Sequence, residues 1–136
     1  MKHLLLKKLI KKILINHDLI NEHAETCANA LINAELVGAP SHGLSRLRMY
    51  CERISKKVIN PKPKIKIKKI SQSISHIDAD NSIGFVAADT AIKVGIKNAK
   101  KTGIGLVAVK NSGHYGLSGY YAEQAVKKGL MVMIFT

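Results

Sequence analysis

Two histidines, a serine and an arginine are the residues of this chain best placed to do chemistry. His114 lies in Val109-Lys110-Asn111-Ser112-Gly113-His114-Tyr115-Gly116-Leu117-Ser118-Gly119-Tyr120-Tyr121, where a β-branched apolar run gives way to a glycine at every third position. Glycine lets the backbone turn sharply and come close to a ligand, so a polar side chain on such a loop can face a cleft while its neighbours hold it. An imidazole, with a pKa of about 6.5, can take up and return a proton near neutrality. The plain alternative is that His114 only bonds its own turn. The second block is Gly38-Ala39-Pro40-Ser41-His42-Gly43-Leu44-Ser45-Arg46-Leu47. Pro40 stops the helix before it and Ser41 reads as the N-cap of the next. Ser41 and His42 would then sit at the positive end of that helix, with Arg46 a turn further on, and could receive a carboxylate or phosphate. Here the alternative is an ordinary cap beside an exposed histidine and a surface arginine.

The elements that would position these groups can be read from periodicity. Leu4, Leu5, Leu6, Leu9, Ile10, Ile13 and Leu14 recur at helical steps with lysines between, giving an amphipathic helix that packs its leucine face. Breakers and a possible N-cap lie between Asn16 and Asn21, and Ala24, Cys27, Ala28, Leu31 and Ile32 mark one face of a second helix ending near Gly38. Leu44, Leu47, Cys51 and Ile54 mark the buried face of the third. Asn60-Pro61-Lys62-Pro63 is a connector, which separates a helical segment, residues 1–58, from the start of an α/β core, residues 59–136. Lys64 to Lys68 alternates with period two and reads as an edge strand guarded by lysines. A strand follows over Ser73 to Ile77, then a turn over Asp78 to Ser82 that serves as a cap rather than a calcium loop, since it lacks the later glycine and distal glutamate. A long helix runs from about Ile83 to Lys101, with Val86, Ala87, Ala91, Val94 and Ala99 near one face. Ile104 to Val109 is expected as a buried strand, Tyr120 to Lys128 as a helix and Leu130 to Phe135 as another buried strand. Gly103-Ile104-Gly105-Leu106-Val107-Ala108 matches a loose dinucleotide fingerprint, but it follows a helix and opens a strand, the reverse of a Rossmann loop. Its glycines are expected to end the helix.

Composition narrows the function. Hydrophobic residues are 46% and charged residues 23% of 136, the balance of a soluble globular domain, and no apolar run reaches the ~18 residues of a spanning helix. The N-terminus has no signal-peptide cleavage site, and the two cysteines form no Cys-x-x-Cys pair, so neither a disulfide framework nor a metal site is expected and the cytoplasm is the expected compartment. Cys27 reads as a small core residue. The net charge of +13 raises nucleic acid as a partner, but only three of the 22 basic residues are arginine and few aromatics interleave with them, so nucleic-acid binding is not expected.

Ser41-His42-Gly43-Leu44-Ser45-Arg46-Leu47, Asp78-Ala79-Asp80-Asn81-Ser82-Ile83-Gly84 and Gly103-Ile104-Gly105 through Val109-Lys110-Asn111-Ser112-Gly113-His114-Tyr115-Gly116 resemble, in order and spacing, the type 2 malate/L-lactate dehydrogenase family. That family includes ureidoglycolate, sulfolactate and diketogulonate oxidoreductases. The resemblance implies a mixed α+β, non-Rossmann fold, a homodimer, NAD or NADP as cofactor, and hydride transfer with a small 2-hydroxy or 2-keto acid. It also implies that His114 is the acid/base, with His42 as rival or as partner in orienting substrate. Ser41 and Arg46 would bind substrate, Arg46 gripping its carboxylate. The chain departs from the family pattern at Lys57-Val58 and at Ser112-Gly113-His114. Family members are well over twice as long, so the chain is expected to be an N-terminal part, inactive alone, with most cofactor contacts beyond Thr136. The alternative is a non-catalytic basic module on an anionic partner.

Overall fold

The computed structural model describes residues 2–136; Met1, where the reading of the N-terminus begins, lies outside the described residues. Helix α1 (Lys2–Asn16) packs antiparallel-hairpin fashion on α2 (Asn21–Leu36) across the short link at 17–20. Ile10 and Leu14 of α1 are fully buried against Ala24, Cys27, Ala28 and Leu31 of α2, whose small side chains let the two backbones approach. Surface ion pairs from Lys7 and Lys11 to Glu25 join the same two helices. The start of α2 differs from expectation: Ile20 occupies the cap position and makes no side-chain bond there.

Two 3-10 turns, Pro40–His42 and Leu44–Arg46, come next, and α3 (Leu47–Ser55) begins only after them. Ser41 therefore does not cap α3; Arg46 stands at that cap, and its side chain makes no capping bond to the helix. Cys51 and Ile54 are buried as expected, but Leu44 and Leu47 only pack at the margin, and Tyr50 fills the centre of that face.

The sheet has the order β1-β2-β3, with β1 (Lys66–Lys69) antiparallel to β2 (Ile74–Ser82), and β2 parallel to β3 (Leu106–Ser112). β1 is the expected edge strand. Parallel pairing requires a crossover, supplied here by α4 (Gly84–Thr102), which ends at Gly103 in the left-handed conformation, φ 83°. The stretch expected as a turn at 78–82 is instead the end of β2, bulged where Asp80 and Asn81 take φ of 52° and 54° and the register to β3 shifts. Asp78 and Asp80 hold this bulge. Asp78 Oδ1 accepts from the Asp80 amide at 3.1 Å and from Asn111 Nδ2 at 2.9 Å, and Asp80 Oδ2 accepts from the Lys64 amide at 2.8 Å. Neither caps α4, whose N-cap is Ile83.

Two expected burials are corrected. β3 is exposed along most of its length, because it is the sheet's other edge and only α4 packs beside it. Residues 130–135 form no ladder and Met131, Met133 and Phe135 are exposed, Phe135 at 84%, since no strand lies alongside to pair with them. The last helix, α5 (Ser118–Val126), begins two residues earlier than expected. One hydrophobic cluster runs from Ile10 and Leu14 through α2 and Tyr50 to Phe85 and Val86 of α4. No described helix is long and apolar enough to cross a membrane. Both cysteines are free and buried, and burial raises the Cys27 thiol pKa far above its usual range.

Candidate functional site

All four residues singled out above meet at one place. His42 and Arg46 come from the two 3-10 turns, and His114 from the loop between β3 and α5. The His42 and His114 rings lie 5.8 Å apart, inclined by 26°. Ser41 Oγ is 3.1 Å from His42 Nδ1, and Arg46 Nε donates to the Ser41 carbonyl at 2.8 Å. That bond fixes the guanidinium by its inner nitrogen. Its two terminal nitrogens make no hydrogen bond among the described residues, so the outer fork remains available for a carboxylate.

The turns themselves are held from α2. Glu35 Oε1 accepts from the Leu44 amide at 2.7 Å and lies under Gly43, where a Cβ would overlap the carboxylate. The glycine of Ser-His-Gly thus leaves room for the carboxylate of a glutamate eight residues earlier in the chain. On the other side, Gly84 at the start of α4 lies so close to the Gly113 and His114 carbonyls that a Cβ there would overlap both. The loop is fastened at its far end by Tyr121, whose hydroxyl donates to the Tyr115 carbonyl at 2.8 Å.

Tyr50 was not anticipated. It is 1% exposed, stacks edge-on against Phe85 at 5.0 Å, and places its hydroxyl 2.8 Å from His114 Nδ1 across a separation of 64 residues. The signal for it was its position four residues after Arg46, one helical turn along. Burial raises the Tyr50 pKa, so its hydroxyl keeps its proton. The plain alternative for His114 is also present, since the Gly116 amide donates to the same Nδ1 at 3.3 Å. Burial first, then the charges of His42, Arg46 and Arg53, lower the His114 pKa below its usual value. The result is a partly exposed cluster of two imidazoles and a free guanidinium edge. It suits a small acid carrying an oxygen beside its carboxylate.

A dinucleotide is a different matter. In a βαβ unit the pyrophosphate belongs at the helix N-terminus, but here the start of α4 is covered by the Gly113 and His114 carbonyls, and Gly103 ends a helix instead of opening one. The ends of α4 therefore offer no Rossmann-type seat for a pyrophosphate. No group of three or more metal-ligating side chains occurs among them.

The fold is mixed α+β and carries two histidines on turns beside an exposed arginine. Residues 1–136 match the family model described as malate/L-lactate dehydrogenase, and the chain belongs to that family. It is 44% identical over 115 residues to a malate dehydrogenase of Pyrococcus abyssi, covering 85% of this chain and 32% of the relative. With an L-sulfolactate dehydrogenase of Methanocaldococcus jannaschii the identity is 38% over 130 residues, covering 96% of this chain and 38% of the relative. The solved malate dehydrogenase of Pyrococcus horikoshii superposes with a TM-score of 0.88 at 39% identity, over 91% of this chain and 36% of that one. The chain spans about a third of the length of the relatives it matches.

Proposed function

We propose that these residues form the acid-binding part of an NAD- or NADP-dependent oxidoreductase that interconverts a small 2-hydroxy acid and its 2-keto acid. The observation that carries this reading is the convergence of Arg46, His42 and His114 at one place from turns and a loop far apart in sequence. Arg46 grips the carboxylate through its free edge, with Ser41 fixing the guanidinium. The histidines take the oxygen on the neighbouring carbon and its proton. The nicotinamide supplies the hydride acceptor. A homodimer in the cytoplasm, with residues 1–58 as a helical segment and 59–136 as the start of the catalytic core, completes the reading. A polypeptide limited to these 136 residues should show little turnover, because it spans only about a third of the length of the relatives it matches.

The test is the KM for malate-like and lactate-like keto acids in the full-length protein. Arg46→Ala should raise it about 10- to 100-fold, the value of a charge-assisted hydrogen-bond pair, with Arg46→Lys intermediate. An unchanged KM in both variants would refute the assignment. The alternative, a basic module binding an anionic polymer, requires salt-sensitive DNA affinity indifferent to His42 and His114.

A further inference from the structure

Two stretches of the chain carry lysines and no acid, and the fold brings them together. No aspartate or glutamate occurs between Glu52 and Asp78, the stretch that contains β1, or between Asp89 and Glu123, the stretch that contains the second half of α4. Between β1 and α4 lies a groove of about 390 Å³. It is remote from the histidines, because Lys97 stands roughly 20 Å along α4 from Gly84, which packs against the His114 loop. One wall is Lys69, on the face of β1 that it shares with Ile67, since residues two apart in a strand point the same way. The other wall is a stripe of α4, Val94, Lys97, Asn98 and Lys101, at the three- and four-residue steps that make neighbours on a helix. Buried Ser75, the ladder partner of Lys69, also lines the groove, and Asn98 Nδ2 donates to its hydroxyl at 3.1 Å, tying the helix wall to the sheet.

Lys69, Lys97 and Lys101 are exposed, and none of them makes an ion pair among the described residues. Lys93, one turn before Lys97 on the same helix, does pair, with Asp89 at 2.6 Å. Like charges one turn apart on a helix repel, and Lys69 across the groove adds to that repulsion, which an anion between them relieves. The C-terminal dipole of α4 favours a cation at Lys101 but gives no reason for Lys69, which belongs to a strand. No arginine lines the groove. A guanidinium fork suits a planar carboxylate, whereas ammonium groups are compact point charges that suit the oxygens of phosphate from several directions. We propose that the groove between β1 and α4 is a second binding site, separate from the acid site, for a small ligand that carries two or more linked phosphate groups. Lys97 and Lys101 take the phosphates from the helix side and Lys69 from the strand side, with the amide of Gln72 at the rim.

Titrating inorganic triphosphate into the full-length protein, with isoleucine and valine methyl groups labelled for NMR, tests the site. Saturable binding should shift the methyl resonances of Ile67 and Val94, which line the groove, and leave that of Ile10, buried in the helical half, in place. Affinity read from those shifts should fall at least about tenfold when Lys97→Ala and Lys101→Ala are combined, and about three- to tenfold for Lys69→Ala. Lys68→Ala removes the same charge from the opposite face of β1 and should stay within about twofold of the parent. These lysines are exposed and alanine is a good helix former, so the variants should fold as the parent does. A nucleoside triphosphate titrated in parallel separates two sources of the phosphates. Equal affinity assigns the groove to the phosphate chain alone, and tighter binding adds Ile67 and Val94 as the contact for the base. No shift at Ile67 and Val94, equal weakening by Lys68→Ala, or tighter binding of a DNA duplex than of triphosphate would overturn the inference. None of these results touches the KM effect of Arg46→Ala, so this site and the proposed function stand or fall separately.

Discussion

Burial and neighbouring positive charge lower the His114 pKa, so at slightly acid pH the folded chain holds fewer protons at this residue than the unfolded chain does. His23 on α2 behaves alike: burial lowers its pKa and outweighs the opposing charge of Glu22. When the unfolded state binds more protons, stability rises with pH. For these two histidines the loss is absent well above the usual pKa of about 6.5 and grows as pH falls through that value toward their lowered folded pKa values. The urea midpoint is therefore expected to fall as pH goes from about 7.5 to about 5.5, and His23→Gln should reduce that fall. A midpoint independent of pH in both proteins would contradict the assignment. At this scale the sequence was generous. Imidazole, guanidinium and hydroxyl chemistry is written in residue type, and Ser41, His42, Arg46 and His114 could all be selected before any geometry was known. Tyr50 was harder to find, because its importance lies in one hydroxyl reaching a loop 64 residues away, and nothing local to α3 announces that partner.

The elements show where reading failed and why. Ser41 follows proline and precedes an apolar-periodic stretch, the ordinary pattern of a cap, yet the chain makes two 3-10 turns there before α3 begins. What holds those turns is the Glu35 carboxylate on the Leu44 amide, a partner from another helix. For β3 the β-branched composition identified a strand correctly, but burial depends on what lies across the sheet, which composition does not encode. The bulge at Asp80 and Asn81 was legible as a cluster of turn-forming residues but was misjudged in being placed outside the strand and read as a helix cap. The close approach of α4 to the His114 loop gives a prediction at this scale. Gly84→Ala must push the Gly113–His114 backbone away, since the overlapping atoms are main-chain carbonyls that cannot rotate aside. Far-ultraviolet circular dichroism should be nearly unchanged, while the His114 ring resonances shift and turnover falls at least tenfold, about 1.4 kcal/mol. Wild-type turnover in the alanine variant would show that the loop position does not matter.

For the whole molecule, the apolar surface is unevenly spent. The helical half buries Ile10, Leu14, Leu31 and most of its alanines but leaves Leu4, Leu5 and Leu9 of the expected packed face exposed, and Leu106, Met131, Met133 and Phe135 stand exposed along β3 and the segment after α5. An exposed strand edge with large apolar neighbours is a template for association. A polypeptide made of these 136 residues alone should bind a hydrophobic dye and self-associate in the micromolar range; Leu106→Lys with Met133→Lys should suppress both. A monodisperse monomer that ignores the dye would contradict this. The long helix and the lysine edge strand were legible from periodicity, and the family resemblance implied the mixed α+β architecture. The distribution of exposed surface was not.

The bond between Tyr50 and His114 closes a loop of 64 residues that takes in the connector, all three strands and α4. Closing so long a segment is slow and entropically opposed, so it comes after the local α1–α2 pairing has formed. The placement of His114 beside Tyr50 is thus expected to be the last feature the chain acquires as it folds. It is also the first surrendered when any of these intervening elements loosens.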